Sequence, residues 1–488
     1  MELALPLDSY LEEYRYKYLA IYYALRDAIL DGRLAGGSKL PSTRYLANFY
    51  DMSRGSVAQS YDMLLAEGYV QMEVGRGTFV THSGPSPVSS IEQTPSAEIA
   101  LSSWGIRLMS QQRTSYNNLK LEGVISFLPE SIPMEYFPYD AWRSALAYAG
   151  GKGGGDLEVP TIPEGAIQLR EAIAGYLRIT RGITVSAANI VLFSGSMQGI
   201  AILSQLLVNE GERVVVEDPG YFGIHKAVQA CGGTIVRGDV DEEGLIPKDW
   251  DARVLFVTPS RHYPTGAVLS LERRRKILAW AQEREGIIIE DDYDSEFRFR
   301  GRPIEPLKAL DRDGRVIYLG SFSKTMFAGL RLGYALIPNS LLEPVKRAKA
   351  FYDPISPGLL EQRALAHFMI HGHYKRHLRR MTRIYSTRHD RFCTLISAHI
   401  SEIFRFIPGD AGLHVYALWQ RSTEEFEAYK EASKRRGVEF RDAQAYRIEP
   451  GPIAVCFGFA HLHDDQIIEG VNRLALAWQD VQQLFRCR

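Results

Sequence analysis

Cysteine is sparse in this chain, and the few present do not cluster. Cys231, Cys393, Cys456 and Cys487 form no CxxC pair and find no histidine at metal-ligand spacing, which argues against a structural zinc and a disulfide framework. Reduced thiols suit the cytoplasm, where the protein is expected to work. Long apolar runs are missing too: nothing nears the ~20 uninterrupted residues of a membrane span. Residues 1–8 hold no basic segment ahead of an apolar one, so no secretory signal is expected. Neither sign of charge dominates, with 57 Lys and Arg against 58 Asp and Glu. Within residues 1–80 the acids (among them Asp8, Glu12, Asp27, Asp51, Glu67 and Glu73) slightly outnumber the bases. Nucleic-acid binding therefore has no bulk electrostatic footprint here and must rest on a motif. No internal repeat is visible. What is present is a globular composition, 45% apolar and 24% charged, over 488 residues, enough for more than one domain.

One run carries specific chemistry. In Val316-Ile317-Tyr318-Leu319-Gly320-Ser321-Phe322-Ser323-Lys324, a lysine follows an apolar, strand-like stretch and sits among small hydroxyl residues, with Arg331 further on. A lysine so placed is positioned to form a Schiff base. The Ser321 and Ser323 hydroxyls and Arg331 can hold a phosphate beside it, which together are the parts of a pyridoxal phosphate site.

The first 80 residues have a different design. Apolar residues at helical spacing over 13–31 (Tyr18, Ile21, Tyr22, Leu25, Ile29) predict one helix, with Gly32 at its end. A second helix is predicted around Thr43-Arg44-Tyr45-Leu46-Ala47, with Pro41 in its first turn. A third starts at Met52-Ser53-Arg54, with Ser53 as N-cap and Val57, Tyr61, Leu64 and Leu65 on its buried side. Gly68-Tyr69-Val70-Gln71 and Thr78-Phe79-Val80 predict two short strands around Gly75-Arg76-Gly77. Three helices and a hairpin make a winged helix-turn-helix covering residues 1–81. The third helix, led by Arg54, would enter the major groove of double-stranded operator DNA while Arg76 and Gly77 reach the flanking backbone or minor groove; Arg44 suits a phosphate.

Residues 82–119 read as a linker, rich in Ser, Pro and Gly over 83–96. From 120 to 488, apolar strands at 190–193, 213–217, 254–257, 286–290 and 315–319 alternate with helix-length segments. That pattern predicts an α/β fold with a mainly parallel central sheet covered on both faces, followed from about 340 by a smaller α+β subdomain. The loops after these strands carry the ligand chemistry, as open parallel sheets require. Ser194-Gly195-Ser196-Met197 opens a helix and offers a phosphate cup. Asp218-Pro219-Gly220-Tyr221 can lay an aromatic ring on a pyridine face, and Asp291-Asp292-Tyr293 can put a carboxylate at the pyridine nitrogen. Each piece alone is an ordinary turn, cap or surface lysine; their order on successive strand ends is what points to one site.

Residues 120–488 resemble the fold-type I aminotransferases. Residues 1–80 resemble the GntR-type winged helix in Leu40-Pro41-Ser42-Thr43-Arg44, Ser53-Arg54-Gly55-Ser56-Val57 and Gly75-Arg76-Gly77-Thr78-Phe79-Val80. Joined in this order they resemble the MocR/GabR family of bacterial transcriptional regulators. The resemblance implies Lys324 as the Schiff-base lysine, Asp291 as the pyridinium partner, Tyr293 as donor to the cofactor phenolic oxygen and Tyr221 as the stacking ring. It implies Ser196 and Met197 through their backbone, with Ser321, Ser323 and Arg331, as the phosphate site. Arg44, Ser53, Arg54, Ser56, Arg76 and Gly77 would lie at DNA. It also implies a homodimer in which the reader of one chain rests on the large domain of the other.

Two departures bear on function. Aminotransferases usually carry Asn-Pro-Thr-Gly, whereas here the run ends Arg261-His262-Tyr263-Pro264-Thr265-Gly266, with Tyr263 at the asparagine's place. His262 is either a substitute for it or a satisfied loop histidine. The arginine that usually holds the substrate α-carboxylate is matched by Cys456, leaving Arg441 or Arg447 as alternatives. The expected function is a pyridoxal phosphate-dependent regulator sensing an amine, an amino-acid-like effector or the cofactor itself, with His262, Tyr263, Arg447 and Cys456 as candidate effector contacts. The alternatives are an active aminotransferase or lyase with a fused reader, here at most a slow half-transaminase, and a dimerisation scaffold without cofactor.

Overall fold

The computed structural model describes residues 5–81, 99–111, 123–129, 132–156, 162–301, 304–407 and 409–486, in two compact units that divide between Ala100 and Leu101. The Ser/Pro-rich stretch 83–96 and Cys487 lie outside the described residues, as do residues 1–4 of the opening segment.

In the first unit, the helix predicted over 13–31 is α2 (Lys17–Leu30), preceded by a separate α1 (Leu7–Glu13) that the sequence did not predict, with the extended Tyr14 and Tyr16 between the two. Asp31 caps α2, and Gly32 follows at φ +79°, where a side chain would be strained. The next helix, α3, spans Thr43–Phe49. Pro41 stands before it instead of in its first turn, because Ser42 takes the N-cap, its side chain accepting from the Tyr45 N–H. Ser53 caps α4 (Arg54–Ala66), which buries Val57, Tyr61 and Leu64 against Ile21, Leu25 and Ile29 of α2. Leu65 is a correction: it is 39% exposed, one step round the helix from the buried stripe. Strands β1 (Val70–Glu73) and β2 (Gly77–Val80) pair antiparallel to form the wing. Residues 37–40 line the other side of β2, with Leu40 N–H donating to Thr78 O and Val80 N–H to Ser38 O.

The second unit holds two sheets. Strand β3 (Ile125–Phe127) belongs to the smaller one. The larger is built from β4 (Ile190–Phe193), β5 (Arg213–Asp218), β6 (Thr234–Asp241), β7 (Gly244–Leu245), β8 (Val254–Val257), β9 (Ile287–Asp292), β10 (Val316–Ser321) and β11 (Gly333–Leu336), in the order β4-β11-β10-β9-β8-β5-β6-β7. Strands β10, β9, β8, β5 and β6 run parallel, and β11 lies antiparallel between β10 and β4. Strands β6 and β11 were not among those expected. Both faces are buried, as the continuous apolar runs require: Ile289 and Leu319 pack with Ile200 and Leu203, while Ile288 and Val316 pack with Ile277. Helices Asn339–Tyr352, Leu359–Ile370 and His373–His399 then lead to the smaller sheet. It comprises β12 (Phe404–Phe406), β13 (His414–Trp419), β14 (Val438–Asp442) and β15 (Ala454–Gly458), in the order β12-β13-β15-β14-β3. Within the segment read as linker, helix Ser103–Ser110 packs on helix Phe222–Ala230.

Candidate functional site

Because β4 and β10 are both antiparallel to β11, β4 points the same way as β5, β8, β9 and β10. Their carboxyl ends share one edge of the sheet, and the loops singled out from the sequence all leave from it. Glycine makes the close approach possible. Gly195 (φ +86°) ends the loop before helix Ser196–Leu207, and a Cβ there would lie 2.7 Å from an Arg331 guanidinium nitrogen. Across the β10–β11 pair, Gly333 faces Ser321, and a Cβ on Gly333 would lie 2.7 Å from the Ser196 nitrogen. Arg331 itself adopts a left-handed conformation (φ +50°) and donates from Nη2 to Ser194 O at 3.0 Å. Ser321 Oγ accepts from the Ser323 N–H at 3.2 Å. Ser196, Ser321, Ser323 and Arg331 are thus gathered round the N-terminus of one helix, where backbone N–H groups and the helix dipole favour an anion. Met197 lies one residue on, its sulfur and the Tyr221 ring both crowding Gly223.

Lys324 follows Ser323, half-buried, with Nζ 3.5 Å from Pro129 O. Its charge favours the ionised Asp294 carboxyl, just past β9, and disfavours a proton on His414, at the start of β13. Asp291, near the end of β9, is buried, and its Oδ1 has no hydrogen-bond partner. Burial, with the charges of Asp292 and Asp294, pushes its carboxyl up to about 7. A buried, unpartnered carboxylate oxygen is costly unless a donor is supplied, and a protonated pyridine nitrogen is such a donor. The residues present therefore fit pyridoxal phosphate at both ends, with a phosphate cradle at Gly195–Gly333 and an orphan acceptor at Asp291.

Two neighbours had no signal in the sequence. Glu217, buried on β5, accepts from the Thr258 N–H (3.0 Å) and hydroxyl (2.5 Å), yet burial raises its carboxyl to about 8. His262 Nε2 stands 3.6 Å from Glu217, but burial drops that imidazole to about 3. The pair is therefore two neutral groups at pH 7, not an ion pair. His262 Nδ1 meets Thr265 Oγ1 at 2.7 Å, so the ring is held in its own loop. Arg261 is the other: its buried guanidinium donates to Tyr293 OH at 2.7 Å and pairs with Asp294 at 2.9 Å.

An aromatic cluster stands beside Tyr221. Tyr263 stands edge-on to Tyr221, Tyr293, Tyr446 and His414, with ring centroids 5.1–6.0 Å away, and its hydroxyl donates to Tyr446 OH at 2.9 Å. Cys456, fully buried on β15, lies opposite Tyr416 and Arg441, and burial pushes its thiol up to about 12. Arg447 follows Tyr446 and lies against Gly451, where a Cβ would overlap its Nη1.

In the reader unit, Arg44, Ser53 and Arg54 are exposed at the starts of α3 and α4. Ser53 Oγ lies 2.9 Å from Ser56 Oγ and accepts from the Ser56 N–H at 3.1 Å. Arg76 pairs with Glu73 at 2.5 Å and leaves 74% of its side chain in solvent. Gly77 (φ +123°) lets Lys39 pass: a Cβ there would lie 2.7 Å from Lys39 Cε. Lys39, which the sequence did not single out, and Arg76 flank the Phe79 ring at 5.9 and 5.7 Å, so the wing carries two cations.

The fold and site define a pyridoxal phosphate-dependent transferase domain attached to a DNA-binding winged helix. Comparison with known proteins agrees: the chain matches the model for aminotransferase class I and II over residues 134–474 and that for bacterial regulatory proteins of the gntR family over 17–80. It is 34% identical to the probable rhizopine catabolism regulatory protein MocR of Rhizobium meliloti, over 94% of this chain and 93% of that protein. It is 30% identical to the pyridoxine biosynthesis transcriptional regulator PdxR of Corynebacterium glutamicum, over 81% of each chain. The kynurenine aminotransferase of Pyrococcus horikoshii shares the fold, with a TM-score of 0.70 at 23% identity over 76% of this chain and 96% of that one. The chain belongs to the MocR-type, GntR-family transcriptional regulators, DNA-binding proteins with a pyridoxal phosphate-dependent aminotransferase-like domain. No helix among the described residues is long and apolar enough to cross a membrane.

Proposed function

We propose that this regulator senses a primary amine, an amino-acid-like compound or pyridoxal phosphate itself through Lys324, acting in the cytoplasm as a homodimer on operator DNA. The observation that carries it is the convergence of Lys324, the orphan oxygen of Asp291 and the Gly195–Gly333 cradle on one sheet edge, in a chain that also holds a winged helix. Pyridoxal phosphate, when bound, supplies an electrophilic carbon at which an effector amine can replace the Lys324 amine.

The chain's own groups have separable tasks. Ser196 and Met197 N–H groups, the Ser321 and Ser323 hydroxyls and Arg331 hold the phosphate. Asp291 Oδ1 would accept the ring N–H and keep that proton in place, while Tyr293 OH would donate to the phenolic oxygen. Tyr221 covers the ring, and Tyr263, Arg447 and the wall around Cys456 meet the effector. A free Lys324 amine would hold its proton within reach of the Asp294 charge. For the exchange to alter DNA binding, the effector must favour one arrangement of the protein over another; tight binding alone shifts nothing. One route supports this. Helix Phe222–Ala230 begins beside Tyr221, and its Ala230 and Lys226 carbonyls accept from Arg107 Nε (3.0 Å) and Gln111 Nε2 (2.9 Å), on the segment beyond the Ser/Pro-rich stretch. At DNA, Arg54 leads α4 into the major groove, Arg44, Ser53 and Ser56 hold the backbone, and the Arg76–Gly77 wing flanks it. One such module spans few base pairs, so two half-sites are expected.

The test is an absorption spectrum of the purified protein and of Lys324→Ala, titrated with amines, amino acids and dipeptides. A band near ~420 nm that is absent in the variant and shifts with one compound supports the reading. No band after adding the cofactor overturns it.

A further inference from the structure

We propose that Arg261 is a positioning residue: its guanidinium aims the Tyr293 hydroxyl at the cofactor's phenolic oxygen and ties that hydroxyl to the C-terminal sheet. The proposal rests on the cofactor reading above and adds a residue to it. An arginine in a loop usually points to solvent, but this side chain is 4% exposed. Four of its five N–H groups are committed: Nε to Ala411 O (3.1 Å), Nη1 to Tyr293 OH (2.7 Å) and Asp294 Oδ2 (2.9 Å), and Nη2 to His414 O (2.9 Å). The socket is shaped for it. Gly412 (φ +90°) carries no side chain where a Cβ would overlap the Arg261 Cζ. Asp294, itself buried, supplies the counter-charge.

The consequence for Tyr293 comes from hydrogen-bond direction. Arg261 has protons only to give, so Tyr293 accepts from it and must send its own proton elsewhere. A phenol whose oxygen already receives a cationic donor is itself a stronger donor. The other titratable groups facing this phenol among the described residues are Asp294, Cys456 and Tyr263, with His414 and Lys324 next to them; of these Asp294 alone contributes a buried carboxylate, and Arg261 pairs it. The cofactor's phenolic oxygen carries its fullest negative charge when the nitrogen linking it to Lys324 has no proton. A strong donor at that oxygen therefore favours the unprotonated form and lowers the pH at which the visible band fades. The same guanidinium holds the carbonyls of Ala411 and His414, so movement of β13 alters this donor directly.

The experiment is a pH titration of the visible band in the cofactor-loaded full chain, comparing wild type, Arg261→Gln, Tyr293→Phe and the double variant. Arg261→Gln is expected to raise the midpoint by roughly half a unit to one unit, about a 3- to 10-fold change in proton affinity. Tyr293→Phe should raise it at least as far, and adding Arg261→Gln to Tyr293→Phe should move it no further, because the arginine acts through the phenol. An unmoved midpoint in Arg261→Gln, or an equal shift with and without Tyr293, overturns the proposal and leaves Arg261 a loop staple. If Arg261→Gln does not fold, Arg261→Lys, which keeps the charge but not the fork, is expected to give a smaller shift of the same sign that again vanishes without Tyr293. A wild-type protein with no band at all would instead overturn the cofactor reading itself.

Discussion

Replacing Glu217 by glutamine is expected to stabilise the protein in mild alkali, and the size of the gain is set by where the carboxyl sits. In the folded chain this buried group keeps its proton to about pH 8. In an unfolded chain a glutamate releases it near ~4.3. Between those values the folded state binds one proton more than the unfolded state, so stability falls as pH rises, by about 1.4 kcal/mol per unit. The fall ends once the folded group also ionises. From pH 6 to pH 8 it amounts to about 2 kcal/mol. Glutamine has no proton to lose, and its amide oxygen can still accept from the Thr258 N–H and hydroxyl that Glu217 now engages. Glu290 and Asp291, each raised to about 7, and Glu296, raised to about 8, slope in the same sense in both proteins. The readout is therefore the difference between wild type and Glu217→Gln in denaturation midpoint, measured at pH 6 and pH 8. An advantage of the variant that grows by about 2 kcal/mol between the two, with cofactor loading intact, is the expected result. A difference that is the same at both pH values, or a variant weaker at pH 8, refutes the reasoning.

Asp291→Asn should weaken cofactor binding by about 10- to 100-fold, the worth of one charge-assisted hydrogen bond, as measured by reconstitution of the apoprotein. Gly333→Ala should abolish loading while leaving operator binding in place, since its Cβ would collide with the Gly195–Ser196 backbone and displace that loop; loading at wild-type affinity would refute the cradle. Ser53→Ala removes the cap of α4 and should cost about 1 kcal/mol of reader stability, visible as a lower first unfolding transition. Arg44→Ala should reduce the salt dependence of operator binding by about one in log–log slope, with little change in sequence preference.

How much of this was legible in the sequence depended on whether a residue's surroundings are local. Ser53 is an N-cap through its bond to the Ser56 N–H, within a single turn of helix. The apolar runs of β4, β5, β8, β9 and β10 announce strands buried on both faces. Strand β6 buries one position, Gly238, leaves the rest half-buried or exposed, and contains Arg237 and Asp239, so it looks like a loop until pairing with β5 fixes it. Strand β11 is four residues long and is defined by its two neighbours. The cofactor loops could be found because parallel strands deliver them to one edge. Arg261 could not: its role depends on Ala411, Gly412 and His414, about 150 residues away, and a loop arginine alone signals only solvent. Lys39 was hidden likewise, since only the bridge to Phe79 brings it to the wing.

The reader's own ion pairs have a consequence at the scale of the chromosome. Arg26 is paired with Asp27, Arg33 with Asp31 and Arg76 with Glu73, in a module whose acids already outnumber its bases. Non-specific affinity for DNA comes almost wholly from uncompensated cations that displace counterions. With ten acids beside eight bases over residues 1–80, the reader gains less from random sequence than a strongly basic module would. Discrimination then comes from a low background more than from a tight operator complex, and what matters is the ratio of the two. In the proposed dimer, operator occupancy would then be decided by how the two copies are arranged, which is the quantity the proposed effector would change.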